Sequence, residues 1–291
     1  LRLARPFGRA IGGTLGAADN PAAMRLGLVS DLHGNLPALE AILEDLTRAG
    51  VDRVVNLGDI VSGPLWPAET VDRLRPLGWP TIRGNHERQA LDAQPGRHGL
   101  ADAFAARALG PAQRAWLAAL PDTLRLTDEV LCVHGAPGND LRMLLETADP
   151  DVRPNGVRPA TAAEVARRLG DALQGVPHGL VVCGHTHVPR ALQLDDGRLV
   201  VNPGSAGQPA YEADDSPEPH RVEMGTPHAR YAIVERRSGG WQVEFRALVY
   251  DHEAAARRAL ANGRPDWADL LRTGRIGRVE ADCPPLPPPG R

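Results

Sequence analysis

From Met24 onward the apolar positions switch repeatedly between a period of two and a period of three to four. Residues 25–30 alternate like a half-buried strand. Leu36, Leu39, Ile42, Leu43 and Leu46 then mark one face of a helix over 36–49, closed by Gly50. Residues 53–57 read as a second strand, 67–74 as a helix with Pro67 in its first turn, and 81–82 as a short strand. Paired helices are predicted over 102–109 and 111–120. A hairpin of 123–126 with 130–134 follows, and its Thr127-Asp128-Glu129 turn lacks the usual glycine. A helix over 161–169 precedes strands at 180–183, 191–194 and 199–201, the last two joined by Asp195-Asp196-Gly197. Strands at 230–235 and 242–248 and helices at 251–262 and 266–272 complete the pattern. Strand–helix alternation giving way to antiparallel strands predicts a mixed α/β layered domain, and no internal repeat is visible.

Three stretches stand apart. Residues 1–23 are rich in Gly, Ala and Arg without periodicity. They are expected to form a mostly disordered extension ahead of a domain over 24–283. Residues 284–291 are mostly proline and read as a solvated tail. Residues 205–229 read as a long polar loop near a crevice mouth. There the carboxylates of Glu212, Asp214, Asp215 and Glu218 would repel highly anionic substrates and favour diesters.

Composition removes several classes. The formal net charge is -3, so no basic surplus points to nucleic acid, and no apolar run is long enough to span a membrane. Cys132, Cys183 and Cys283 are too scattered for a disulfide framework or a paired-cysteine zinc site, which with the rest suggests a cytoplasmic protein. The chain contains no lysine, so all 33 residues counted as Lys+Arg are arginine. That excludes Schiff-base chemistry and a lysine-bearing phosphate loop.

Metal-binding residue types recur just past the strands. Asp31 and His33 follow the first, Asp59 the second, Asn85 the third, His134 ends a later one, and His185 and His187 follow 180–183. In open α/β sheets the carboxyl ends of strands face the ligand crevice, so these segments can converge. Carboxylates, imidazoles and an amide oxygen suit Mn, Fe, Zn or Ni. Seven such residues exceed one tetrahedral site and match two metals sharing a carboxylate, a centre for in-line attack at phosphorus.

The set Asp31-x-His33, Gly58-Asp59, Gly84-Asn85-His86-Glu87, His134 and Gly184-His185-x-His187, in this order, resembles the calcineurin-like metallophosphoesterase superfamily. Ser30-Asp31-Leu32-His33-Gly34-Asn35 and Asn202-Pro203-Gly204-Ser205 resemble its small bacterial phosphoesterase branch. The resemblance implies a two-sheet αββα sandwich. It implies hydrolysis of a small phosphate mono- or diester by a metal-bridging hydroxide, with two divalent ions, Mn favoured. One ion would take Asp31, His33, Asp59 and His187, the other Asp59, Asn85, His134 and His185, with Asp59 bridging. His86 would be the second-sphere acid near the leaving oxygen. Arg83 resembles a phosphate-clamping arginine, although the stretch after Asp59 lacks the further arginine of the protein-phosphatase branch.

Other readings stay open: a Ser/Thr protein phosphatase, a dinucleoside-polyphosphate hydrolase, a repair nuclease, or a non-catalytic scaffold of the same fold. The complete ligand set argues against the scaffold, and the missing basic surplus against the nuclease. His98, His178, His220, His228 and His252 fall in no motif and are expected to be ordinary surface or core residues. Asn85 could serve only as a helix N-cap. Cys132 and Cys183 are expected to be small buried hydrophobes. Trp66 and Tyr211 are candidates for stacking on a base, with packing the plainer expectation. Ser205 lacks the first glycine of a nucleophile elbow.

Overall fold

The structure is a computed structural model, and it describes residues 24–92, 98–152, 155–173, 179–213 and 219–277. The strands are β1 (Arg25–Val29), β2 (Arg53–Asn56), β3 (Thr123–Thr127), β4 (Val130–Val133), β5 (Glu146–Ala148), β6 (Val157–Pro159) and β7 (Leu180–Val182). They continue with β8 (Arg190–Gln193), β9 (Leu199–Asn202), β10 (Ala210–Glu212), β11 (Arg221–Glu223), β12 (Ala229–Arg237) and β13 (Gly240–Leu248). The helices are α1 (Leu36–Ala49), α2 (Pro67–Leu74), α3 (Asn85–Leu91), α4 (Leu100–Ala108), α5 (Pro111–Ala118), α6 (Ala162–Leu169), α7 (His252–Ala261) and α8 (Pro265–Thr273).

Two sheets form the centre. The first runs β13-β12-β1-β2, with β1 and β2 parallel. The second runs β3-β4-β7-β9-β8, with a parallel β4-β7-β9 middle. Alternation along the strands decides the layers. Leu26, Leu28, Val55 and Leu57 face Val130, Cys132, Leu180 and Val182 to make the core between the sheets. Val29, Val54 and Ile233 turn outward onto α1, α7 and α8, through Leu39, Ile42, Ala255 and Leu271. Val133, Val181 and Val200 turn outward onto Val165 and Leu169 of α6. The architecture is thus the expected αββα sandwich.

Local chemistry sets the helix ends that aim the site. Asn35 caps α1 by accepting from the Ala38 amide at 3.3 Å, and Gly50 ends it left-handed at φ 63°. Gly27 in β1 has no side chain because α1 lies against it: a Cβ there would sit 2.7 Å from Leu46 Cδ2.

The structure departs from the sequence expectation in four places. Residues 81–82 form only one bridge, Thr81 to Asn56, rather than a strand. Helix α3 had no place in the apolar pattern and was foreshadowed only by the N-cap reading of Asn85. Gly84, not Asn85, occupies its N-cap, so Asn85 is released from the capping role. The three-residue strands β5 and β6 are too short to show alternation. Residues 205–229 are not all loop, because β10 and β11 pair antiparallel with Ala210 and Val222 buried. The expectations for 1–23, for 278–291 with Cys283, and for His178, Asp214, Asp215 and Glu218 lie outside the described residues.

Candidate metal centre

The loops leaving β1, β2 and β7 carry the backbone strain of the molecule. Among the described residues, the non-glycine positions with positive φ are Asp31 (56°), His33 (49°), Asp59 (55°), His185 (71°) and His187 (62°). A side chain in this region costs roughly 1–3 kcal/mol, so strain of this kind persists only where neighbours enforce it. The neighbours are visible. The Asp31 amide donates to Gly58 O at 3.0 Å, the His33 amide to Asp59 O at 3.0 Å, and the Gly207 amide to Asp31 O at 3.0 Å. The His185 amide donates to Asp31 Oδ1 at 3.2 Å and so joins the two sheets' loops. Gly84 makes the approach possible: a Cβ there would lie 2.2 Å from Asp59 Oδ1.

These turns bring all seven expected donors together. Asp31, His33, Asp59, Asn85, His134 and His187 are buried and His185 is half-buried. Donor atoms of Asp31, His33 and His187 lie within 4.8 Å of one another, and so do those of Asp59, His134 and His185. His86 forms a third such group with His33 and Asp59.

The four histidines share one feature. Each gives one ring nitrogen to a backbone carbonyl, which can only accept: His33 Nδ1 to Ser62 O (2.6 Å), His134 Nδ1 to Leu57 O (2.7 Å), His187 Nδ1 to Gln208 O (2.9 Å) and His185 Nε2 to Leu141 O (3.1 Å). That fixes the proton on the outer nitrogen and points a lone pair inward, the arrangement that supporting groups impose on metal-binding histidines. The inward nitrogens then meet other acceptors. His33 Nε2 faces His187 Nε2 at 3.2 Å. His134 Nε2 faces Asp59 Oδ2 at 2.9 Å and Asn85 Oδ1 at 3.2 Å, and His185 Nδ1 faces Asn85 Oδ1 at 3.0 Å. Asn85 turns its oxygen inward because its amide nitrogen donates to Gln89 Oε1 at 3.2 Å. Asp31 Oδ2 is buried without a hydrogen-bond partner. Acceptors aimed at acceptors need a cation or a proton between them, so the donor chemistry fits divalent ions.

The electrostatics agree. Burial disfavours charge on Asp59, but His134, His86 and His33 outweigh it and hold the carboxyl well below its usual range. Burial likewise opposes charge on His134, yet Asp59 raises it to about 10. Burial and the His187 and His86 charges push His33 down to about 3, and burial with His134 takes His185 down to about 4.

Two supporting carboxylates carried no assigned role in the sequence. Glu87, in the first turn of α3, accepts from the amides of Asp59 (2.8 Å), Ile60 (2.6 Å), Val61 (3.3 Å) and Gly84 (2.9 Å). It therefore clamps the Gly58-Asp59 turn onto α3. Its place in Gly84-Asn85-His86-Glu87 was the available signal. Glu87→Ala would leave these buried amides unpaired, at about 1–3 kcal/mol for each full loss. Thermal or urea unfolding is expected to show a stability loss of several kcal/mol. Asp102, buried in the first turn of α4, bonds His86 Nδ1 at 2.7 Å. Desolvation disfavours the His86 imidazolium, but Asp59 and Asp102 overcome it and raise the group to about 9. Nothing local marks Asp102, whose partner lies sixteen residues back.

The other candidates divide. Arg83 does not reach into the donor cluster: its Nε donates to Asp122 Oδ1 at 2.9 Å. It borders a cleft of about 240 Å³ beside His134, opposite Arg88 and Asp140. A larger groove of about 680 Å³ along α1 contains none of these side chains. Cys132 and Cys183 are buried in apolar clusters, and burial pushes both thiols up, Cys132 to about 12. Trp66 packs on the core beneath Arg258, whose guanidinium stands 5.5 Å from its ring centre. Tyr211 places its ring edge-on to His187 at 4.8 Å, a packing contact on the centre. The Ser205 hydroxyl donates to Asp31 O at 2.9 Å and supports the β1 loop. Glu212 of the expected acidic gate pairs with Arg221 across β10–β11. His98 pairs with Asp92 at 2.9 Å, and His98, His220, His228 and His252 join none of the donor groups.

Among the described residues no helix is long and apolar enough to cross a membrane. The family model of the calcineurin-like phosphoesterase superfamily domain matches residues 24–221. An uncharacterized protein of Methanocaldococcus jannaschii is 24% identical over 273 residues, 86% of this chain and 98% of that protein. The crystal structure of a metallophosphoesterase from Sphaerobacter thermophilus is similar at 27% identity and a TM-score of 0.65. The match covers 87% of this chain and 100% of that one.

Proposed function

The chain belongs to the calcineurin-like phosphoesterase superfamily, and from that premise we propose that it hydrolyses small phosphate mono- or diesters with two divalent ions, Mn²⁺ favoured. The observation that carries this reading is the set of four inward lone pairs, each fixed by an outer bond to a carbonyl. In this reading Asp31, His33, Asp59 and His187 hold one ion, and Asp59, Asn85, His134 and His185 hold the other. Such ions polarise phosphoryl oxygens and lower the pKa of water bound to them.

The chain's own groups supply the rest. Asp59 can serve both donor sets because its turn is clamped by Glu87 and its Oδ1 also accepts from the His86 amide at 2.9 Å. His86 presents a ring that Asp102 orients, and it gives a proton to the departing oxygen. Arg83 steadies the phosphoryl group. Its pair with Asp122, a carboxylate 73% exposed, is of the surface kind worth about 0–1 kcal/mol, so exchanging it for a phosphoryl oxygen costs little.

The test is a substrate panel on chelator-stripped protein with Mn²⁺ added back: p-nitrophenyl phosphate, its bis ester, cyclic nucleotides, dinucleoside polyphosphates and a phosphopeptide. Turnover of at least one ester is expected only with Mn²⁺ present. Protein that binds two ions yet turns over none of the panel would overturn the proposal.

A further inference from the structure

Glu146 opens β5 on the outer side of the second sheet and is 2% exposed. Burying a carboxylate is costly unless partners hold it. Its Oε1 accepts from Arg190 Nε at 2.8 Å. The strand that carries it is pinned by Arg168 of α6, which donates to Leu144 O at 2.9 Å, Glu146 O at 2.6 Å and Thr147 Oγ1 at 2.6 Å. Burial pushes the Glu146 carboxyl up, and the Arg190 guanidinium offsets part of that, while Oε2 is buried without a hydrogen-bond partner.

Thr186 is the residue between His185 and His187, and it is 1% exposed. Its Oγ1 accepts from Asn202 Nδ2 at 3.0 Å. Asn202 Nδ2 also donates to Gly184 O at 2.7 Å. The stretch from Gly184 to Arg190 is therefore held by Asn202 and Glu146 while the two histidines on either side of Thr186 keep φ of 71° and 62°.

We propose that Glu146 is a positioning residue: through Arg190, at the end of the stretch that Asn202 holds at Gly184 and Thr186, it keeps His185 and His187 left-handed, with their inward nitrogens aimed at the two ions. The proposal rests on the metal-centre reading above. Because His185 and His187 are assigned to different ions, slackening this one stretch weakens both sites together.

The experiment uses full-length Glu146→Ala, Glu146→Gln and Arg190→Met, each stripped of metal and titrated with Mn²⁺. Melting of the metal-free proteins and their crystal structures are measured alongside. Loss of a group supporting a metal ligand typically weakens binding about 10–100-fold. Glu146→Ala and Arg190→Met are expected to raise the Mn²⁺ dissociation constants at both sites by about that factor. Their metal-free melting temperatures should stay within a few degrees of the parent, and φ at 185 and 187 should leave the left-handed region. Glu146→Gln, which can still accept from Arg190 Nε, should fall between. Unchanged Mn²⁺ affinity would overturn the proposal. So would weakening matched in all three variants by an equal fall in metal-free melting, which marks a general packing role. If Glu146→Ala does not fold, Arg190→Met, which removes the partner from a half-buried position, decides. Parent protein that takes up no Mn²⁺ would overturn the metal reading instead, and φ in the variants would then judge Glu146 alone.

Discussion

Asp59→Asn is expected to weaken both proposed metal sites at once. Asp59 stands in two of the donor groups, beside His33 and His86 in one and beside His134 and His185 in the other. The substitution keeps the shape and lets Oδ1 continue to accept from the His86 amide. It removes the charge that raises His134 to about 10. Losing even a supporting partner costs roughly 10–100-fold in metal affinity, so losing a shared ligand should cost at least about 10²-fold at each site. Metal analysis after gel filtration should fall from two Mn²⁺ per chain to less than one, with hydrolysis lost in parallel. A stable melting transition would separate this from unfolding. Two tightly held ions in the variant would defeat the bridging role.

Most of the donors were legible in the sequence because they sit just past a strand, where the fold leaves no choice about which end they face. Asp31 and His33 after β1, Asp59 after β2 and His134 after β4 needed only the strands to be found. The layering was legible as far as a mixed α/β domain, since Leu26 and Leu28 alternate with Gly27 and Val29 toward two layers, while the two-sheet sandwich itself was implied by the resemblance of the motifs. The groups that hold the donors in place were less so. Glu87 serves amides twenty-six to twenty-eight residues away, and Asp102 reaches His86 from a separate helix. Such contacts leave no period in the chain. Glu146 was hidden more deeply, because its hairpin is three residues per strand and its carboxylate meets Arg190, forty-four residues ahead. Arg83 shows the converse: the motif named it, and the structure places its guanidinium on the neighbouring carboxylate of Asp122, at the border of the cleft rather than in the donor cluster.

His86→Ala should discriminate between leaving groups more than between metal-bound and metal-free protein. The His86 backbone already serves the centre through its amide on Asp59, a bond that alanine retains. The side chain points instead to Asp102 at 2.7 Å, a contact that fixes the ring and favours its protonated form. A positioned general acid contributes about 10²–10⁴-fold when the departing oxygen needs a proton. An alkoxide needs it badly and p-nitrophenolate, a weak base, hardly at all. The variant should therefore keep two Mn²⁺ per chain, lose about 10²–10⁴-fold in kcat on alkyl phosphate esters, and lose far less on p-nitrophenyl esters. Equal losses on both would place His86 on the charge of the phosphoryl group rather than on the leaving oxygen. Its ring nitrogen also falls in a donor group with His33 and Asp59, so metal content is the measurement that decides first. Loss of an ion from the variant would make His86 a ligand, and the leaving-group comparison would then report metal occupancy rather than proton transfer.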